Sequence, residues 1–167
     1  SRLLMRGALD GQGCGMSTGG HELRLRFRSD DDGTGELTVR VCSNGFAGAG
    51  SAWFGTEQLE RFAATLGADP LPVPGPGLAG GFFNTADGRL DQEHVGIDVY
   101  SVGRRGEVGV QVRLMTALWP DDRPESRHAV RVELLTLHER LRRFSEDLQA
   151  VVAGNAAEAV LMCGALA

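Results

Sequence analysis

Hydrophobic and polar residues alternate near the start of the chain in the way that half-buried strands require. From His21 to Arg28, leucine and phenylalanine occupy one face and arginine the other, which predicts a strand. The alternation resumes from Leu37 to Val41, and Asn44-Gly45 after it is a strong hairpin signal. We therefore expect a pair of antiparallel strands followed by a third strand over Phe46–Phe54.

A second group of alternating segments follows in the other half of the chain. Apolar residues recur at every second position in His94–Val102 and in Glu107–Met115. A further strand is predicted over His128–Leu134, with His128, Val130, Val132 and Leu134 on its inner face. Gly103–Gly106 supplies the turn residues between the first two of these segments. The pattern predicts an antiparallel meander.

Two segments have helical spacing instead. Thr56–Leu66 has an apolar stripe, with Thr56 as its expected cap and Gly67 as its stop. Thr136–Ala153 has apolar residues at helical intervals, and Thr136 with Glu139 has the spacing of a capping box. The predicted fold is α+β: a curved antiparallel sheet of about five to seven strands covered by two amphipathic helices.

The two predicted helices share a short motif. Leu59-Glu60-Arg61-Phe62 in the first matches Leu141-Arg142-Arg143-Phe144 in the second, and each helix follows a strand. Either an internal duplication or the shared requirements of amphipathic helices explains the match.

Glycine and proline mark the limits of the folded region. Residues 1–20 are rich in glycine and follow no apolar pattern, so we expect a flexible lead. Residues 69–81 combine prolines and glycines, which predicts an irregular link that holds neither a helix nor a ladder. The rest, residues 21–167, is expected to form one domain.

Composition narrows the classes of partner. The net charge is −5 and the acidic and basic residues are spread along the whole chain, which argues against nucleic-acid binding. No apolar run approaches the ~18 residues of a membrane-spanning helix. The three cysteines have no C-x-x-C spacing, which suggests a reduced, cytoplasmic setting with Cys42 and Cys163 as small buried side chains.

Several kinds of chemistry lack their residues. All 17 basic residues are arginine, which excludes a Schiff-base or Walker lysine. The histidines have no metal-ligand spacing. Gly75–Gly80 has the letters G-x-G-x-x-G but lacks the strand before and the helix after that a dinucleotide site needs. We expect no catalytic residue, no metal and no cofactor.

Two groups of residues remain as candidates for binding. Arg24, Arg26, Arg28 and Arg40 occupy one predicted sheet face, either as a solvated surface or as a recognition surface for acidic groups. Glu93 lies just before the predicted strand that begins at His94, and Trp119 lies in a proline-containing turn. These three are the other candidates.

The order of elements resembles that of small bacterial proteins of unknown function that include wall-associated-toxin immunity relatives. The residues that carry the resemblance are Trp53, Leu59–Ala63 with Leu66, the His94–Leu134 meander and Leu141–Leu148. It covers most of Gly35–Leu148 and departs in the glycine-rich lead and the proline-rich link. The resemblance implies no catalytic residues.

Three functions are compatible with the sequence. The first is a non-enzymatic binding protein whose partner is another protein, of the immunity type that the resemblance implies. The second is a small-molecule binding protein or enzyme with a pocket between sheet and helices. The third is a self-assembling structural or accessory subunit, including a homodimer.

Overall fold

The computed structural model describes residues 20–164, which form eight strands and two helices. The predicted α+β class is confirmed, and the antiparallel strands divide into two sheets of four. In chain order the elements are β1 (His21–Ser29), β2 (Thr34–Ser43), β3 (Phe46–Gly55), α1 (Thr56–Leu66), β4 (Gly77–Phe83), β5 (Leu90–Val102), β6 (Glu107–Met115), a short 3-10 turn (Pro124–Ser126), β7 (Ala129–Leu137), α2 (His138–Val152) and β8 (Ala159–Cys163).

The topology repeats one motif twice. Each half is a three-stranded meander, then a helix, then one more strand: β1-β2-β3-α1-β4 and β5-β6-β7-α2-β8. The first sheet has the order β3-β2-β1-β8 and the second β4-β5-β6-β7. The fourth strand of each half therefore pairs with the first strand of the other half. This arrangement favours the duplication over a coincidence of helical patterns.

The prediction of an irregular link over residues 69–81 is wrong at its end, because β4 begins at Gly77. The glycines of β4, which favoured a loop in the sequence, are needed for packing. A Cβ atom at Gly80 would lie 2.6 Å from Cζ of Phe54, and one at Gly81 would lie 1.9 Å from the carbonyl oxygen of Gln92. Neighbouring groups fill the space where side chains would stand.

Small residues also bring the two sheets close together at β3, which approaches all four strands of the second sheet. A Cβ atom at Gly48 would lie 2.4 Å from Cγ1 of Val130, and one at Gly50 would lie 3.1 Å from the carbonyl oxygen of His94. One continuous hydrophobic core joins the inner faces of both sheets and the apolar stripes of both helices.

The helices contact each other at equivalent positions of the repeat. Ala63 and Ser145 are each the eighth residue of their helix, and Oγ of Ser145 donates a hydrogen bond of 2.5 Å to the carbonyl oxygen of Ala63. The predicted span of α1 is confirmed, but Thr56 is its first residue and Gly55 caps it without a side-chain bond.

The predicted capping box of α2 is wrong. The strand β7 continues through Leu137, so Thr136 stays extended and its side chain is buried in the core. Its hydroxyl has no hydrogen-bond partner within residues 20–164. The helix begins at His138 instead.

The predicted lead, residues 1–20, lies outside the described residues except for Gly20. In residues 20–164, neither helix has the length and apolar character needed to cross a membrane.

Candidate functional site

The four candidate arginines lie on the outward face of the first sheet, on β1 and β2. Arg24 is directly opposite Arg40, and Arg28 is opposite Glu36. Nη1 of Arg24 lies 2.7 Å from Oε1 of Glu158, and Nη2 of Arg26 lies 3.1 Å from Oε2 of the same carboxylate.

Carboxylates therefore already neutralise part of this face, since Arg24 also pairs with Glu22. Exposed ion pairs of this kind contribute ~0–1 kcal/mol each. The arrangement favours a solvated sheet face over a recognition surface for acidic groups.

Glu93 belongs to a polar network on the second sheet. Its Oε1 accepts a hydrogen bond of 2.7 Å from Nε of Arg113, and Nη1 of Arg113 also donates to Asp98 at 2.6 Å. The hydrogen bond to Glu93 is the largest cause of the raised pKa of Arg113, and burial opposes it. A Cβ atom at Gly96 would lie 2.5 Å from this guanidinium, so the absence of a side chain there makes room for the network.

His94 lies at a bulge of β5. The register with β4 passes from Gly80 opposite Val95 to Gly81 opposite Glu93, so His94 has no partner in that ladder. The side chain is 5% exposed. Its ring packs edge-on against that of Phe82, with the ring centroids 4.5 Å apart. The Phe82 ring also packs against that of Trp119, with the centroids 4.8 Å apart. We call Phe82, His94 and Trp119, together with Gln92, the aromatic corner.

Gln92 ties the aromatic corner to the loop between β6 and β7. Its Nε2 donates to the carbonyl oxygen of Leu118 at 2.8 Å, and its Oε1 accepts from the Leu118 N–H at 3.0 Å. These two bonds fix the orientation of the amide. His94 Nε2, 3.2 Å from Oε1 of Gln92, must therefore be the donor. Burial, followed by the charge of Arg127, lowers the pKa of His94 and favours the neutral ring.

Trp119 is held in place but exposed. Its backbone N–H donates to Oδ2 of Asp122 at 2.8 Å, and its carbonyl oxygen accepts from the Asp122 N–H at 2.9 Å. The side chain is nevertheless 63% exposed. The corner thus presents a large apolar ring on a loop that hydrogen bonds fix at two successive residues.

The structure brings His94 and Trp119 together through Phe82, whereas Glu93 binds Arg113 instead. Phe82 and Gln92 are not among the residues that the sequence predicted. The sequence signal for Gln92 was its position two residues before His94, since alternate residues of a strand share a face. Phe82 was missed because it lies next to the link that was predicted to be irregular.

No three His, Cys, Asp or Glu side chains between residues 20 and 164 lie close enough together to hold a metal ion. Cys42 is disulfide-bonded, so the prediction of a reduced thiol there is wrong, whereas Cys163 is free and buried. Burial raises the pKa of the Cys163 thiol to about 11, which makes it a poor nucleophile near neutral pH.

The aromatic corner exposes the indole ring of Trp119. Its histidine is neutral and its amide is already bonded to the backbone, so few of its polar groups are free. Comparison with known proteins adds no identification, since no family model, curated protein or solved structure matches the chain.

Proposed function

We propose that the protein acts by binding another protein in a stoichiometric complex, with Trp119 at the centre of the contact surface. The observation that carries this proposal is the exposure of an indole ring on a loop fixed at Leu118 and Trp119. The aromatic corner is the feature of the described surface that most resembles a binding anchor.

Two physical arguments support this choice. Tryptophan is enriched among the few residues that dominate binding energy at protein interfaces, because it buries a large area in one contact. A ring that is already positioned by Phe82 and by the Gln92 bonds loses little conformational freedom on binding. An exposed apolar ring on a solvated surface also gains from being covered.

The partner in this proposal is a protein that the complex inhibits, as in immunity-type pairs. The resemblance of the sequence to bacterial immunity relatives supports this role. The net charge of −5 and the neighbouring Asp121 and Asp122 favour a partner with a basic surface.

The location in the cytoplasm stays a prediction from the cysteine count. The disulfide at Cys42 opposes it, because disulfides are rare in cytosolic proteins. To decide this point, cells of the source organism are quenched with acid and the free thiols of the protein are labelled. A protein kept reduced in the cytoplasm would have Cys42 labelled.

Photo-crosslinking tests the binding surface. A photo-reactive phenylalanine derivative replaces Trp119 in one variant and Phe46, which is 67% exposed, in the control variant. We expect one protein to be crosslinked in the source organism at position 119. Crosslinking of the same protein with equal yield at position 46, or of none at position 119, would contradict the proposal.

Affinity measurements with that protein complete the test. Trp119→Ala should weaken binding by roughly 30-fold or more, which corresponds to the ~2 kcal/mol of an interface hot spot, while Phe46→Ala should have little effect. Both variants should unfold at the temperature of the parent. Native mass spectrometry of the purified protein examines the small-molecule alternative, since a retained ligand would add a constant mass.

A further inference from the structure

The edge strands of the two sheets are protected to different degrees. Three have features that discourage pairing with other chains: β4 has two register shifts, β7 carries Arg131 and Glu133, and β8 has five residues. Bulges, charges and short length are the usual means by which native edge strands avoid association.

The remaining edge strand, β3, has none of these features. It runs for ten residues, contains no charged residue and no proline, and pairs with β2 in one continuous register. Trp53 on its outward face and Phe46 at its start are both exposed. Within residues 20–164, no strand pairs with its other side.

The hydrogen-bond pattern identifies which groups lie along that free edge. The N–H of Thr56 donates to the carbonyl oxygen of Gly33, so even-numbered residues in this region bond to β2. Alternate residues of an antiparallel strand direct their N–H and C=O groups to opposite sides. The free edge therefore displays the backbone groups of Ala47, Ala49, Ser51 and Trp53.

From this geometry we propose that β3 is a homodimer interface, in which the free edge pairs with the same edge of a second copy across a two-fold axis. With Gly50 at the axis, Trp53 of each copy lies opposite Ala47 of the other, and Ala49 lies opposite Ser51. Each such pair joins odd-numbered residues, whose N–H and C=O groups face one another as an antiparallel ladder requires.

The side chains fit this register. Each large indole meets the smallest apolar side chain, and the two central positions hold only small groups, so the two strands approach without a clash. The interface is self-complementary, which is the property of closed two-fold dimers. It joins the two first sheets into one and removes both unprotected edges. It uses none of the residues of the aromatic corner, so it does not depend on the proposed function.

Light scattering after size exclusion tests the proposal with the full chain. At micromolar concentration the expected mass is twice the 17.8 kDa of the monomer. Ala49→Pro removes an N–H from the free edge while leaving the even-numbered bonds to β2, and should convert the dimer to a monomer. Ala49→Thr at the same exposed position keeps the N–H and should remain dimeric.

A second variant covers the possibility that proline unfolds the strand. Ser51→Lys places a charge at each of two neighbouring positions across the axis and should also give a folded monomer, as judged by circular dichroism. A monomeric parent protein, or a dimer that Ser51→Lys leaves intact, would overturn the proposal. A heterologous complex that this variant disrupts, formed by a monomeric parent, would assign the edge to the strand of another protein instead.

Discussion

The contact between the two helices leads to a test of how the core is completed. Ser145 is 2% exposed, and its hydroxyl donates to the carbonyl oxygen of Ala63. At the end of α1, the N–H of Gly67 bonds to Ala64 rather than to Ala63. Ser145 therefore satisfies the Ala63 carbonyl, which the end of α1 leaves unpaired.

Ser145→Ala removes this hydrogen-bond donor and hardly changes the volume of the side chain. The Ala63 carbonyl then lies between the helices without a partner, and the side-chain amide of Gln149, 3.2 Å from the Ser145 hydroxyl, loses one as well. Leaving a buried polar group unpaired costs roughly 1–3 kcal/mol. For a chain of this size each kcal/mol lowers the melting temperature by about 2–4 °C.

Urea unfolding followed by circular dichroism measures the change, with Ser101→Ala as the control. Ser101 is exposed on β5, and the control should stay within ~0.5 kcal/mol of the parent. A Ser145→Ala midpoint equal to that of the control would refute the reasoning, because it would mean that water or another group satisfies the Ala63 carbonyl.

Three other predictions follow from single side chains. Phe62→Ala and Phe144→Ala should each lower the free energy of unfolding by ~3–5 kcal/mol in urea titrations, since both rings are buried in the core; an unchanged midpoint would mean the stripes are misassigned. Burial and the hydrogen bond to Glu133 raise the pKa of Tyr100 to about 12. Because Tyr100 is the sole tyrosine, the absorbance of the phenolate reports this pKa directly, and Glu133→Gln should lower the pKa. Burial lowers the pKa of His94, so the unfolded chain binds the imidazole proton more tightly than the folded one. The free energy of unfolding should therefore fall as the pH drops below about 6.5. Urea titrations should show that His94→Gln flattens this pH dependence, and an equal slope would count against a buried neutral ring.

Sequence periodicity predicted the elements well wherever burial alternates with exposure. The span of α1, the hairpin at Asn44-Gly45 and the β5–β6 pair were all visible, because each residue's own type reports the face it occupies. The division of strands between two sheets was not visible. It depends on which edges meet, and no local pattern encodes that.

The errors share a physical cause. At Gly80 and Gly81 the fold needs space for Phe54 and for the backbone of β5, and glycine is also the residue that local rules assign to loops. At Thr136 the side chain has the spacing of a cap, but the pairing of β7 with β6 keeps the backbone extended. In both cases the tertiary contacts overrode the local preference.

The candidate site was only half accessible to sequence reasoning. Trp119 and His94 were identified by residue type, yet the amide of Gln92 that joins them acts across a loop far along the chain. The bulge that turns His94 into the core also has no sequence marker. Glu93 was grouped with His94 because they are adjacent, although the bulge separates their contacts.

The exchange of fourth strands between the two halves has a consequence for synthesis on the ribosome. The strand β1 is the first of the eight to leave the exit tunnel and β8 is the last, yet the two are neighbours in one sheet. Until β8 emerges, the nascent chain has a sheet whose β1 side is open, and such long-range pairings form slowly. We expect chains stalled before residue 159 to be degraded by protease, and release of the whole chain to be the step at which resistance appears.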